Sequence, residues 1–456
     1  MTNTRNKNKS SKSKTRKNGG SVLASGGFGC VFSPGLLCKG QTKRKRNTVS
    51  KLMTTRHARE EYNEITNIHK HVNSIPNYKD YFLVDDISIC TPKKLTASDL
   101  TNFKKTCTAL PKDGITLANI NTSIDRVMSL NLPNGGMDVD DYIFKNGGFN
   151  KILNLNIKLI DLLNNGILEM NKQHIYHSDI KGSNILIDNS LKTRLIDWGL
   201  STEYTPFKKK PIPSTWYNRP LQFNVPFSVI LFTKLFKTKY NAYLKNGGKL
   251  ERDSLRLFVG DYIQEWKKVR GIGHYKVIND IMYMLFSNDL KIKQSLKWVT
   301  VEKKYTIPYI INYLVEILIH YTQTDADDVT EYLDKVFVKI VDVWGFLSVY
   351  TTIIELLFNN YSILNENEQK LFQSLKKVIL EYMYAPTVNP PNITKLTNDL
   401  TNLNAIFIVN KDIIVHNEIN TSSKISFKRI SKRERRKQPV LVISKDVIHE
   451  VFNKYV

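Results

Sequence analysis

Between residues 177 and 187 the chain reads His177-Ser178-Asp179-Ile180-Lys181-Gly182-Ser183-Asn184-Ile185-Leu186-Ile187, and no other stretch narrows its possible folds as much. An apolar approach (Ile175, Tyr176) and a β-prone exit confine an aspartate, a lysine two positions on and an asparagine five positions on to one loop. A carboxylate that accepts a hydroxyl proton, a cation that meets a phosphate and an amide oxygen that holds a metal ion are what phosphoryl transfer to a hydroxyl requires. Eighteen residues after Asp179, Leu195-Ile196-Asp197-Trp198-Gly199 delivers a second carboxylate from an apolar pair into a glycine turn. A lone Asp-x-x-x-x-Asn arises by chance in loops; His177, Lys181 and Asp197 at these spacings make this one specific.

The upstream sequence supplies the matching parts. Ala24-Ser25-Gly26-Gly27-Phe28-Gly29-Cys30-Val31-Phe32 sets glycines around an aromatic between two β-prone stretches. That suits a hairpin whose backbone lies close over phosphates. The strand Val49-Ser50-Lys51-Leu52 follows a basic stretch from Lys39 to Arg46. His57 to Val72 has helical periodicity with Ile65, Ile68 and Val72 on one face. Glu61 shares that face and Glu64 does not, so Glu61 is the first choice and Glu64 the second as partner of Lys51. The ordinary alternative is a surface carboxylate on an amphipathic helix. Tyr81 to Cys90 is strand-like, residues 91–125 are polar and irregular, and Val127 to Leu132 is a further strand. Pro133 to Val139 makes a linker, and Ile152 to Met170 is a long amphipathic helix leading into the Asp179 loop.

Together these motifs resemble eukaryotic-type Ser/Thr protein kinases over most of residues 21–405. The nearest likeness, carried by Arg219 to Ser228 and the Asn/Lys/Ile-rich composition, is to the divergent protein kinases of large DNA viruses. The resemblance implies an α+β, bilobal fold: a small antiparallel β lobe with one helix, and a large, mainly helical lobe with a long helical insertion. By position it implies Asp179 as catalytic base, Lys181 as the cation at the transferring phosphate, and Asn184 and Asp197 as ligands of Mg2+. Lys51, oriented by Glu61, would bind the α- and β-phosphates of ATP. Gly26, Gly27, Phe28, Gly29 and Val31 would cover the nucleotide, with Asn131 near the hinge; Ala24 stands where the family's first glycine usually sits. Lys181 favours a Ser/Thr protein kinase over small-molecule phosphotransferases. Ser178 replaces an arginine that in regulated kinases pairs with a phosphate. Activity independent of phosphorylation at Ser201, Thr202, Thr205, Ser214 or Thr215 follows.

Beyond Asp197 the pattern departs from the family. Trp216-Tyr217-Asn218-Arg219-Pro220-Leu221 keeps the tyrosine-to-proline spacing of the Y-x-A-P-E segment but puts Leu221 at its glutamate. The arginine that normally pairs with that glutamate would fall near Asn392, and none is there, so both halves of a buried ion pair are missing together. The next motif reappears only at Asp342-Val343-Trp344-Gly345-Phe346-Leu347. The resemblance implies that Asp342 accepts backbone N–H bonds from the loop around residues 176–179. Residues 221–340 then form a helical insertion.

Composition sets the remaining bounds. At 456 residues and 41% hydrophobic, the chain can bury a sizeable core. Its net charge of +25 is concentrated in two runs, Arg5 to Lys17 and Lys424 to Lys437. Such runs are solvated tails, or contacts for nucleic acid, an anionic membrane or an acidic protein. The expected division is a disordered basic tail over 1–20, a small lobe over 21–131 with an insertion near 91–125, a large lobe over 132–405 with an insertion near 221–340, and a basic tail over 406–456. Cys30, Cys38, Cys90 and Cys107 show no CxxC spacing and read as reduced thiols of a soluble intracellular protein, in host cytoplasm or virion if viral. Val336 to Phe358 is apolar but interrupted by Lys339, Asp342 and Glu355, a buried helix rather than a transmembrane span. ATP and protein substrates, acidic ones included, are the expected partners. The rival readings are a pseudokinase scaffold and a kinase-fold enzyme acting on a lipid or small molecule.

Overall fold

A computed structural model of the chain describes residues 20–145, 149–208, 211–286, 301–322, 329–385 and 388–420. Most of the two expected basic tails, residues 1–19 and 421–456, lies outside the described residues. The rest divides into two compact units, one of residues up to Thr66 with Val84–Asn134, the other of Asn67–Leu83 with the residues from Gly135 on.

In the first unit, alternation along Thr48–Thr54 (β3) buries Thr48, Ser50 and Leu52 and leaves Val49 and Lys51 half-buried on the other face. β3 is central in a five-stranded sheet ordered β1-β2-β3-β5-β4, where β1 is Ser21–Ser25, β2 Gly29–Ser33, β4 Ser88–Cys90 and β5 Val127–Pro133. Every pairing is antiparallel. The expected strand from Tyr81 shrinks to β4, because the chain turns at Asp86 in the left-handed region (φ 54°). Residues 91–125 are irregular, as expected, yet they are no mere excursion. Leu95, Phe103, Leu110, Ile115 and Ile120 cover the sheet side that carries Val22, Phe32, Leu52 and Val127. Helix α1 (Thr55–Val72) begins in this unit and ends in the other; it buries Ala58 and Ile65, then Ile68 and Val72.

The cysteines correct the sequence reading. Cys30 is bonded to Cys107 and Cys38 to Cys90, across 77 and 52 residues. The fold brings their Cα atoms to 5.3 and 5.7 Å, a closeness that no local spacing announces. Closing loops of this length contributes roughly 4 kcal/mol in the chain-entropy model. Reduction is therefore expected to lower the unfolding midpoint by about 8 °C or more, at roughly 2–4 °C per kcal/mol. Thermal unfolding with and without dithiothreitol, beside peptide mapping of the intact disulfides, checks this. An unchanged midpoint after verified reduction would count against it.

In the second unit, helix α2 (Phe149–Asp161) buries Ile152, Leu155 and Leu159, passes through a π turn at Leu162–Ile167 and ends at Lys172. It delivers the chain to β7 (Ile175–Tyr176), which pairs with β10 (Thr202–Glu203). β8 (Ile185–Ile187) lies between β6 (Met137–Asp138) and β9 (Thr193–Leu195). Residues 177–184 are thereby held between β7 and β8. The described part of 221–340 is helical, with α3 (Lys234–Lys245), α4 (Arg252–Arg270), α5 (Tyr275–Phe286) and α6 (Ile307–Tyr321). These helices join the core of the unit rather than leaving it: Tyr313 on α6 packs edge-on to Trp344 at 5.9 Å. Then come α7 (Val338–Ser348), α8 (Tyr350–Asn359), α9 (Glu366–Ile379) and α10 (Ile393–Asn420). α10 passes the boundary expected at 405; Leu396, Leu400, Leu403 and Phe407 are buried, and Asn156 on α2 donates to the Leu400 carbonyl at 3.0 Å.

Val329–Asn359 is long and apolar enough to cross a membrane, with a mean hydropathy of 1.6 over its most apolar window, and 89% of that window is buried inside the fold. Core packing accounts for its apolarity.

Candidate active site

On the first unit, the turn between β1 and β2 is closed by the Gly26 N–H donating to the Gly29 carbonyl at 2.9 Å. Gly29 is required by close packing, since a Cβ there would stand 2.3 Å from Met53 Cγ. A Cβ on Gly26 or Gly27 would meet nothing among the described residues closer than 3.8 Å, so neither glycine is required by packing. Phe28 is exposed, its ring 4.6 Å from that of His57. Val31 pairs with Lys51 across the β2–β3 ladder. Lys51 Nζ donates to both Glu61 carboxylate oxygens, at 2.8 and 2.6 Å, so the first of the two candidate glutamates is the one that meets it. Asn131 is committed within the sheet: Oδ1 accepts from Ser50 Oγ and Ser129 Oγ, and Nδ2 lies 3.4 Å from Cys90 Sγ.

On the second unit, the Asp179 carboxylate is nearly enclosed. Lys181 Nζ (2.6 Å) and Asn184 Nδ2 (3.0 Å) donate to Oδ2, while Asn224 Nδ2 (2.8 Å) donates to Oδ1. The Arg219 guanidinium lies 3.6 Å from Oδ1. Burial pushes the Asp179 carboxyl up, but Lys181, Asn224 and Arg219 outweigh it and hold the group below the usual carboxylate range. His177 receives the Asp179 N–H at Nδ1 (3.3 Å), and its Nε2 faces the Ile196 carbonyl at 3.0 Å. Those partners select the neutral tautomer protonated at Nε2. The Ile196 N–H in turn donates to the Asn184 carbonyl at 3.0 Å, which sets Asp197 beside Asn184. Ser178 and Asp197 both sit at positive φ, 60° and 67°. Such strain persists only where surrounding bonds over-determine it.

Those bonds are visible at Ser178. Its N–H donates to Asp342 Oδ1 at 2.7 Å, its carbonyl accepts from Arg219 Nη1, and its hydroxyl accepts from Trp216 Nε1 at 2.9 Å. Asp342 Oδ2 takes the His177 N–H at 2.9 Å and Asn171 Nδ2 at 2.8 Å. The anchor expected at Asp342, more than a hundred residues beyond Pro220, is therefore in place. Gly345 permits the close crossing; a Cβ there would lie 2.8 Å from the Ile180 carbonyl oxygen. Leu221, at the position of the missing glutamate, is buried, and Asn392 caps α10 by accepting from the Lys395 N–H at 2.9 Å. Neither leaves an unpaired charge.

Sequence reading missed four groups around this loop. Arg219 and Asn224 were noticed only as part of a likeness; their burial, invisible in the sequence, reveals their contacts. Burial, with Lys181 and Arg219 nearby, pushes the His274 imidazole down, which places it in the same electrostatic neighbourhood. Asp334, buried, accepts from Tyr204 OH (2.7 Å) and the Phe207 N–H (3.0 Å). Trp216 adds edge-on contacts to Tyr176, Tyr204 and Phe337. The segment after Asp197 is thus pinned by a carboxylate and an indole already present, not by a phosphate awaiting an arginine. Phosphatase treatment is expected to leave activity on an exogenous peptide unchanged. A large loss mapped to Ser201, Thr202, Thr205, Ser214 or Thr215 would contradict this.

Two oxygen donors fit a magnesium ion. Asn184 commits its Nδ2 to Asp179 and keeps its amide oxygen, and the exposed Asp197 carboxylate has no protein partner among the described residues. Mg2+ is typically bound by one or two protein oxygens together with water and substrate phosphates. Accordingly, no cluster of three or more His, Cys, Asp or Glu suited to a metal occurs among the described residues.

Residues 117–220, which run from the approach to β5 through Asp179 and Asp197 to Pro220, match the protein kinase domain family. A 66-residue stretch is 36% identical to an Arabidopsis thaliana protein described as "Probable serine/threonine-protein kinase"; it covers 14% of this chain and 12% of that relative's length. The small antiparallel sheet of the first unit and the helix-rich second unit make an α+β fold consistent with the protein kinase domain that residues 117–220 match.

Proposed function

We propose that the protein is an ATP-dependent protein kinase that transfers the γ-phosphate of Mg·ATP to Ser/Thr hydroxyls. The observation that carries this is the Asp179 carboxylate, kept ionised and fixed by Lys181 and Asn184. Asp179 orients the acceptor hydroxyl and takes its proton as the bond to phosphorus forms. Lys181 offsets charge on the transferring group, and Lys51, held by Glu61, is assigned to the α- and β-phosphates. Gly26, Gly27, Phe28, Gly29 and Val31 are assigned to covering the nucleotide. Asn184 and Asp197 would hold Mg2+, which when bound neutralises phosphate charge. The likeness of residues 219–228 to kinases of large DNA viruses belongs to this reading, and the basic runs favour acidic acceptor proteins.

Purified protein incubated with γ-labelled Mg·ATP and a Ser/Thr peptide mixture tests the proposal. Label is expected on Ser or Thr and in the protein fraction. Label confined to lipid or a small molecule would move the assignment to that class of acceptor, and nucleotide binding without any transfer would leave a binding scaffold.

A further inference from the structure

Asn224 follows the segment that matches the family and Arg219 stands at its very end, and neither has a part in the chemistry assigned above. Asn224 is fully buried, and its Nδ2 donates to Asp179 Oδ1 at 2.8 Å and to the Ile180 carbonyl at 3.2 Å. Its own Oδ1 is buried without a hydrogen-bond partner. Turning the amide over would set that oxygen against the carboxylate, so the Asp179 contact fixes its orientation. The backbone beside it is clamped as well. Trp344 Nε1 donates to the Phe223 carbonyl at 2.9 Å, and a Cβ on Gly345 would approach the Asn224 carbonyl oxygen to 3.2 Å.

A carboxylate offers about four acceptor positions, two on each oxygen. On Asp179, Lys181 and Asn184 fill both positions of Oδ2, whereas among the described residues Oδ1 has only Asn224 within hydrogen-bond distance, with Arg219 at 3.6 Å. One acceptor position remains, and it is on Oδ1. We propose that Asn224 is a positioning residue that fixes Oδ1 of Asp179 as the oxygen presented to the acceptor hydroxyl. Arg219, through the Ser178 carbonyl, holds the loop beneath it. This rests on the reading of Asp179 as the catalytic base. The segment after Pro220 then supplies to the catalytic loop a constraint of its own, delivered by α7 through Trp344 and Gly345.

Two substitutions separate positioning from packing. Asn224→Ala removes the donor and leaves a gap; Asn224→Asp keeps the size and turns the donor into an acceptor facing Oδ1. Positioning predicts that Asn224→Ala lowers kcat about 10-fold and Asn224→Asp about 100-fold, with KM for ATP within about twofold of wild type. Simple filling of space predicts the opposite order, because the isosteric variant leaves no cavity. Rates are normalised to the nucleotide-binding fraction, so partial unfolding does not enter, and either variant alone still reports on kcat. Asp179→Asn, measured in parallel, tells the two ideas apart. If it is inactive while both Asn224 variants keep the wild-type kcat, or alanine is the worse of the two, this inference fails and the kinase reading stands. If Asp179→Asn transfers phosphate like wild type, or wild type transfers none, the reading fails and this inference with it.

Discussion

Asp179→Asn is expected to retain nucleotide binding and to lose at least about two orders of magnitude in phosphoryl transfer. The substitution preserves shape, so Lys181 and Asn224 keep a side chain of the same size between them. It removes the charge that aligns the acceptor hydroxyl and the basicity that takes its proton. Four polar neighbours converge on this carboxylate although burial opposes its ionisation, an arrangement that a merely structural loop aspartate does not need. Asp197→Asn should behave differently. Asp197 is exposed and has no partner among the described residues, so its loss should weaken Mg·ATP binding itself rather than the step that follows. Titration of nucleotide with and without Mg2+, beside single-turnover transfer, resolves the two effects. Undiminished transfer by the Asp179 variant would sink the assignment.

The parts of the site legible in the sequence are those whose spacing is local. Asp179, Lys181 and Asn184 sit on one short loop, and the Asp197 turn follows through a two-strand ladder. Glu61 was separable from Glu64 because helical periodicity places it on the buried face, and the structure pairs it with Lys51. For Asn131, a strand position near a hinge does not say where its side chain points; here it bonds to Ser50 and lies beside Cys90. The disulfides were illegible for a related reason: pairing across 77 and 52 residues is set by sheet order, not by spacing. Residues 91–125 looked like a polar insertion because their apolar residues follow neither helix nor strand period. Phe103 and Leu110 are nonetheless buried against the sheet. Arg219 and Asn224 look like surface residues in sequence, since charged and amide side chains are rarely buried without a partner. Only the fold shows that the partner is Asp179.

Asp342→Ala is expected to lower transfer by about 100-fold or more, although Asp342 belongs to no nucleotide-binding set, because a misplacement near 1 Å at the reacting groups costs that much. The Asp342 carboxylate is 1% exposed and accepts from the His177 N–H, the Ser178 N–H and Asn171 Nδ2. Charge-assisted bonds of this kind are shorter and stronger than neutral ones. Alanine leaves the buried His177 and Ser178 N–H groups without an acceptor, at about 1–3 kcal/mol for each group, while Asn171 Nδ2 keeps the Ile175 carbonyl. Ser178 already holds a left-handed backbone that its neighbours must maintain. Without the carboxylate, that strain and the orphaned N–H groups act together on the residue preceding Asp179. Asp342→Asn keeps one acceptor oxygen but places a donor against one of the N–H groups, so it should fall between wild type and alanine. Hydrogen exchange over residues 175–181 should rise in the alanine variant while α9 and α10 stay protected, which distinguishes a loosened loop from a generally unfolded protein. Wild-type transfer by Asp342→Ala, with the loop amides as protected as before, would show that the loop is held without this anchor.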